Sequence, residues 1–273
     1  MACLTPTEIT DNYAKASIAK ASMPLWRMFL LAIAAGAFIG LGAVASSTAA
    51  HALGDAGMVR LVSGIIFPIG LMMVVLLGTE LFTGNALMVT AAISGKITWK
   101  LLLRNWAVVF AGNFVGAVAL AALMAFFGQL NIGGGELAVY TAKVAANKAG
   151  LPWMNGFVLG IFCNLLVCIA VYMANTAQDT AGKVWAIFFP IMGFVLAGFE
   201  HCVANMYYIP AGIFAYLNPA YTAMIDAAGI NVALLNFGDF IFANLIPVTL
   251  GNIVGGALVG LFMYACHGTR PEK

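Results

Sequence analysis

Six stretches of this 273-residue chain run for twenty residues or more with almost no charge. They are Met28–Ala50, Leu61–Gly95 (broken by Glu80), Asn105–Gly135, Ala149–Gln178, Val184–Ile225 (broken by Glu200 and His201) and Phe240–Cys266. About 20 helical residues cross a hydrocarbon core of ~30 Å, so each run is long enough to span a membrane. The runs are too long, and too irregular in hydropathy, for the ~10-residue alternation of outer-membrane strands, so they are read as helices. With 63% hydrophobic and 8% charged residues, the chain cannot cover a soluble surface of this size. A net charge of +2 without a basic cluster argues against disorder and against nucleic acid as a partner. The reading is an all-α integral membrane protein with six transmembrane helices, in contact with lipid.

No secretory signal peptide is expected, because the first apolar run begins only at Leu25 and no small-residue cleavage site precedes it. Thr5-Pro6-Thr7-Glu8 has the form of a capping box with proline at the first helical position. Residues 1–24 are therefore expected to form a short amphipathic helix on the membrane surface. Six spans put both termini on one side. That side holds Lys15, Lys20, Arg27, Lys96, Lys100, Arg104, Lys183, Arg270 and Lys273, against Arg60, Lys143 and Lys148 on the other. The imbalance places both termini in the cytoplasm. The five cysteines form no CxxC pair, and neither a disulfide, a metal site nor a cofactor is expected.

Comparison of the two halves exposes an internal repeat. Gly78-Thr79-Glu80 with Asn85 matches Gly198-Phe199-Glu200 with Asn205 at an offset of 120, and Phe67-Pro68 and Phe189-Pro190 stand upstream. Asn105 and Gly112-Asn113-Phe114-Val115-Gly116 match Asn244 and Gly251-Asn252-Ile253-Val254-Gly255 at an offset of 139. Each half holds three spans, an odd number, so residues 149–266 are expected to sit inverted relative to residues 25–135, with 267–273 as a cytoplasmic tail. Inverted repeats build transporters and channels whose path lies between the halves. Leu61–Gly95 as one helix would be about 52 Å long, so spans two and five are expected to break at Gly78–Asn85 and Gly198–Asn205. Irregular backbone at membrane depth is tolerated where it is buried in protein or lines a wet cavity. The pairs Gly112/Gly116, Gly251/Gly255 and Gly36/Gly40 read as helix-packing faces.

Leu81-Phe82-Thr83 after Glu80, together with Phe199-Glu200-His201-Cys202-Val203-Ala204-Asn205-Met206, resembles the formate/nitrite transporter family. Asn244-Leu245-Ile246-Pro247-Val248-Thr249-Leu250-Gly251-Asn252 is similar to that family's last-span motif, and Asn164-Leu165-Leu166-Val167-Cys168 to its fourth-span motif. The similarity covers nearly the whole chain. It implies an aquaporin-like protomer assembled as a homopentamer in a bacterial or archaeal cytoplasmic membrane. Each protomer would then have its own pore for formate, nitrite or hydrosulfide, with protons as a further partner.

His201 stands at membrane depth on a break, whereas His51 and His267 lie at span ends. An ionisable group there reads as a pore donor that gives a desolvated anion a hydrogen bond or, when protonated, a proton, or else as a structural hydrogen bond. The resemblance makes Thr83 a second donor from the opposite half. Glu200 either orients His201 or, like Glu80, accepts backbone N–H groups at a broken helix end. The resemblance also assigns Phe67, Leu71 and Phe194 to a cytoplasmic constriction, Leu81 and Phe82 to a periplasmic one, and Asn164 and Asn244 to vestibules. Each asparagine is equally readable as an interhelical bond. Lys148 lies against the charge bias and reads as an anion attractor at a pore mouth or as a solvated loop charge; Lys20 is its cytoplasmic counterpart.

Two other classes stay open from the residues alone. Asn218-Pro219-Ala220 is the aquaporin tripeptide, but it occurs once and outside both breaks, so a neutral-solute pore for water or glycerol is the second reading. A membrane enzyme would need a nucleophile–base pair or metal cluster at depth, and neither Gly-x-Ser-x-Gly nor His-Glu-x-x-His occurs.

Overall fold

A computed structural model describes residues 3–268, and every regular element among them is helical. The charges Arg270 and Lys273, and most of the 267–273 tail, lie outside the described residues. α1 (Pro6–Ser22) begins at the capping box: Thr5 accepts from the Glu8 N–H, and the Glu8 carboxylate accepts from the Thr5 N–H at 2.8 Å. The Thr5 backbone N–H and the Thr5 hydroxyl, both donating to the Glu8 carboxylate at 2.8 Å, hold that carboxyl below its usual range. α2 (Leu25–Ala50) is the first span.

The second span is a chain of short pieces. α3 (Ala56–Ile66) stops at Phe67-Pro68, where the proline supplies no N–H, and α4 (Ile69–Leu76) resumes. Gly78 then takes φ +65° and residues 79–81 leave the helix. α5 (Phe82–Asn85) passes through a tighter turn at Ala86–Met88 into α6 (Val89–Ile93). α7 (Trp99–Phe126) is the third span. It begins before the apolar run Asn105–Gly135 and stops short of that run's end, because Gly128, Gly133, Gly134 and Gly135 all adopt positive φ and turn the tail into a 3-10 segment.

α8 (Glu136–Ala149) was not among the expected spans. It is a buried-faced helix that packs on the second broken span and carries Lys148 in its last turn. α9 (Trp153–Thr176) is the fourth span, starting after Pro152 rather than at Ala149. α10 (Thr180–Ala197) and α11 (Cys202–Leu217) are separated by Gly198–His201, with Gly198 at φ +72°. Asn218 caps α12 (Pro219–Ala227) through its side chain, so Asn218-Pro219-Ala220 is a helix start. A π-helical turn, Asp239–Leu245, leads into α13 (Ile246–His267).

Among the described residues, six helical segments are long and apolar enough to cross a membrane: Leu25–Ala50, Ala56–Leu76, Trp99–Phe126, Trp153–Thr176, Thr180–Ala197 and Asp239–His267. The chain is a multi-pass membrane protein. Its two most extensive helix interfaces are α2 on α7 and α9 on α13, and glycine makes both. A Cβ on Gly112 or Gly116 would meet the carbonyls of Phe29 and Ile33, and one on Gly251 or Gly255 those of Phe157 and Ile161. Backbones approaching this closely gain dispersion contacts, which association in lipid requires because burying apolar area drives little there.

Candidate functional site

The two breaks present the same construction. In the first, the Lys20 ammonium donates to Glu80 Oε1 at 2.7 Å, Asn85 Nδ2 donates to Glu80 Oε2 at 2.7 Å, and Asn85 Nδ2 also donates to Asn105 Oδ1 at 2.9 Å. In the second, Lys148 donates to Glu200 Oε1 at 2.8 Å, Asn205 Nδ2 to Glu200 Oε2 at 2.7 Å and to Asn244 Oδ1 at 2.7 Å. Among the described residues these are the two ion pairs, and their glutamates are 4% and 6% exposed. So dry a carboxylate is tolerated only when paired and hydrogen-bonded.

Behind each cradle an asparagine holds the broken backbone. Asn113 Oδ1 accepts from the Phe82 N–H at 2.9 Å, and Nδ2 donates to the carbonyls of Ala32 and Glu80. Asn252 Oδ1 accepts from the Cys202 N–H at 2.9 Å, and Nδ2 donates to Gly160 and Glu200. The Glu80 N–H reaches Leu31 O, and the Glu200 N–H reaches Leu159 O. The first and fourth spans are thus related by a third offset, 128, which pairs Lys20 with Lys148, Pro24 with Pro152, Phe29 with Phe157, Leu31 with Leu159 and Ile33 with Ile161. That register was present in the sequence and went unread. It would have marked Lys20 as the partner of Glu80.

The halves differ where it matters chemically. At an offset of 120, His201 stands where the first half has Leu81. His201 is the N-cap of α11, and its Nδ1 accepts the Ala204 N–H at 3.0 Å. A nitrogen that accepts a hydrogen bond carries no proton, so the neutral ring bears its hydrogen on Nε2. Nε2 lies 2.9 Å from Thr83 Oγ1, which then accepts and keeps its own hydroxyl hydrogen for donation. A second ring proton on Nδ1 would expel the cap.

Three cavities lie along this region, two of them lined by His201. One, of about 530 Å³, is lined by Lys148, Glu200, His201, Asn205, Phe67, Phe194, Tyr208, Lys143 and Arg60, among others. Another, of about 360 Å³, is lined by Lys20, Glu80, Asn85, Leu71, Leu81 and residues of α1. Between them lies a space of about 10 Å³, too small for more than a single water, walled by Ile39, Phe67, Leu71, Leu81, Val167, Ile191, Phe194 and His201. Phe194 stacks on the His201 ring at 6.0 Å and 22° and receives the edge of Phe67 at 5.6 Å.

Several expectations are corrected by this geometry. Phe67 and Phe194 border the Lys148 cavity, and Leu71 and Leu81 border the Lys20 cavity. The expected grouping of Leu71 with the two phenylalanines is met in the narrow space between the cavities, which Phe67, Leu71 and Phe194 wall together with Leu81. Phe82 lines none of the three cavities. It packs edge-on against Phe110 and Trp106 because its backbone N–H is held by Asn113, turning the side chain away. Asn164 and Asn244 are fully buried and make the bonds between segments that are their other reading. Asn164 donates to the carbonyls of Thr83 and Asn252, and Asn244 donates to Lys148 O. Glu200 makes no bond to His201, and neither glutamate side chain takes a backbone N–H; lysine and asparagine side chains occupy both. Thr83 faces His201 and lines none of these cavities.

Residues 7–266 match the formate/nitrite transporter family profile. The formate channel FocA of Haemophilus influenzae is 41% identical over 264 residues, covering 95% of this chain and 93% of that protein. Its namesake in Escherichia coli is 38% identical over 269 residues, covering 97% and 94%. A solved structure described as a pentameric formate channel with formate bound superposes with a TM-score of 0.82 at 39% identity, covering 89% of this chain and 97% of that one. These relatives are channels, which sets aside the membrane-enzyme reading.

Proposed function

Because the chain belongs to the formate/nitrite transporter family, we propose that it conducts small monovalent weak-acid anions of the formate class along the path between its two charged cradles. One observation carries this reading. Two cavities, each lined by a lysine, flank a space of about 10 Å³ whose polar lining residue is His201. An anion in the wide cavities keeps water and meets a positive charge; in the aperture it loses water, and a donor must replace it. His201 lines the aperture and supplies that donor: its Nε2–H rests on Thr83 Oγ1 at 2.9 Å and turns to the anion when one enters. Since Nδ1 serves the cap of α11, His201 works as a neutral donor. A proton that accompanies the anion comes from the vestibule side and not from an imidazolium.

The two halves act as inverted repeats with both termini cytoplasmic, and protomers assemble as a homopentamer like the pentameric formate channel they resemble. Purified protein in proteoliposomes tests the reading by flux of formate, nitrite and hydrosulfide. Saturable or voltage-dependent anion flux that collapses in His201→Ala supports it. Water or glycerol permeation without anion flux refutes it in favour of a neutral-solute pore, and a His201→Ala variant indistinguishable from wild type refutes the donor role.

A further inference from the structure

The second break carries a contact that the first lacks. α10 ends in a Schellman turn: the Gly198 N–H donates to Val195 O at 3.1 Å and the Phe199 N–H to Phe194 O at 3.0 Å. Leu196 O, one of the orphaned last carbonyls, accepts from Arg60 Nη1 at 3.2 Å. The guanidinium is laid so tightly over Gly198 that a Cβ built there would fall on Nη1, with Cζ and Nη2 both 3.3 Å away. At Gly78 the same turn forms, with the Thr79 N–H on Val74 O at 3.0 Å and φ +65°, yet a Cβ there would meet nothing within 4 Å. The turn therefore forms without an arginine, and Arg60 serves something else.

Its position shows what. Arg60 lies on α3, the helix whose C-cap is Phe67, and it bonds to the last turn of α10, which carries Phe194. Phe67 and Phe194 meet edge to face across the aperture, and Phe194 stacks on His201 three residues beyond Gly198. Arg60 thus ties together the two segments that carry the two aromatic walls. We propose that Arg60 is a specificity-determining positioning residue: a strut that fixes the spacing of Phe67 and Phe194 and so the size of anion that passes. This rests on the proposed anion conduction.

The rival account is charge alone, since Arg60 lines the same cavity as Lys143 and Lys148. Formate and lactate carry the same charge and differ in size, so a charge scales both fluxes together and a strut separates them. The experiment compares formate and lactate flux in proteoliposomes of the full-length protein, with Arg60→Lys and Arg60→Gln each reconstituted as the wild-type oligomer. The lactate-to-formate ratio is expected to rise about tenfold in both variants, the lower end of what one methylene is worth in a tight pocket. Should Arg60→Gln fail to fold, Gly198→Ala displaces the same guanidinium and is expected to raise the ratio likewise. An unchanged ratio, or equal loss of both fluxes, overturns the strut while leaving conduction intact; a wild type that carries neither anion overturns the proposed function itself.

Discussion

Replacing Lys148 by methionine removes the cation from a carboxylate that is 6% exposed and leaves Asn205 as its remaining donor. The cavity beside it, about 530 Å³, is equivalent to a sphere of about 5 Å radius. Setting the carboxylate about 2 Å behind the wall puts its charge about 7 Å from an anion at the centre. At an effective dielectric of about 20, that unpaired charge costs the anion about 2.4 kcal/mol, or about fiftyfold in local concentration. Formate influx into proteoliposomes, measured below saturation, is therefore expected to fall between one and two orders of magnitude in Lys148→Met. The double variant Lys148→Met with Glu200→Gln removes both charges and is expected to recover most of the loss, a coupling of about 2 kcal/mol between the two sites. Breaking one partner of a buried pair also costs about 3–5 kcal/mol of fold stability, so fluxes must be scaled to the reconstituted folded oligomer. A double variant as slow as the single one would refute the argument, because the lysine would then act on the anion directly and not by neutralising Glu200.

Other perturbations separate pore chemistry from scaffold. Gly78→Ala and Gly198→Ala impose the same strain at positive φ, about 1–2 kcal/mol, but Gly198→Ala must also displace Arg60; thermal unfolding in detergent should show the larger loss at 198. Asn252→Ala leaves the Cys202 N–H and the carbonyls of Gly160 and Glu200 without their partner, an expected loss of about 1–3 kcal/mol per unsatisfied group seen as a lowered melting temperature, whereas Asn252→Asp keeps only the acceptor and should recover only part. Tyr13→Phe removes the bond from the Tyr13 hydroxyl to Gly84 O and should raise hydrogen exchange at α5, next to Thr83, with little change elsewhere. In α1, the Glu8 carboxyl is held low by Thr5, so its folded pKa lies below its unfolded one; the contribution is present above the ordinary value of 4.5 and is lost as pH falls through the lowered one. The protection factor of the first-turn amides of α1, the observed exchange rate referred to the intrinsic rate at each pH, should therefore fall on acidification in the wild type and show no such dependence in Glu8→Gln.

Why some of this was legible beforehand, and some not, follows from what sequence patterns record. Charge-free runs of membrane length fix the number of spans, since no other solvent accepts them. A glutamate inside such a run, preceded by glycine, marks a break twice over: the glycine permits the positive φ and the carboxylate demands partners. Asn113 and Asn252 could be found by repetition because polar residues are rare here, and a repeated rarity is informative. The 128 offset of the first and fourth spans escaped because Phe29, Leu31 and Ile33 look like any other membrane residues; only Lys20 and Lys148, each outside its span, carried the signal.

The number of spans, the two breaks and the polar residues that serve them were thus determined by the sequence, because in lipid each buried polar group must announce its own necessity. Which apolar side chains form the aperture was decided only by tertiary packing. Phe67 and Phe194 wall it while Phe82 turns inward to Phe110, and no pattern distinguishes three phenylalanines among nineteen. The pairing of each glutamate with a lysine from a distant helix, and the seat of Arg60 against α10, were decided there too. Such contacts join elements 52, 60 and 136 positions apart, and their geometry exists only once the glycine faces have brought the helices together.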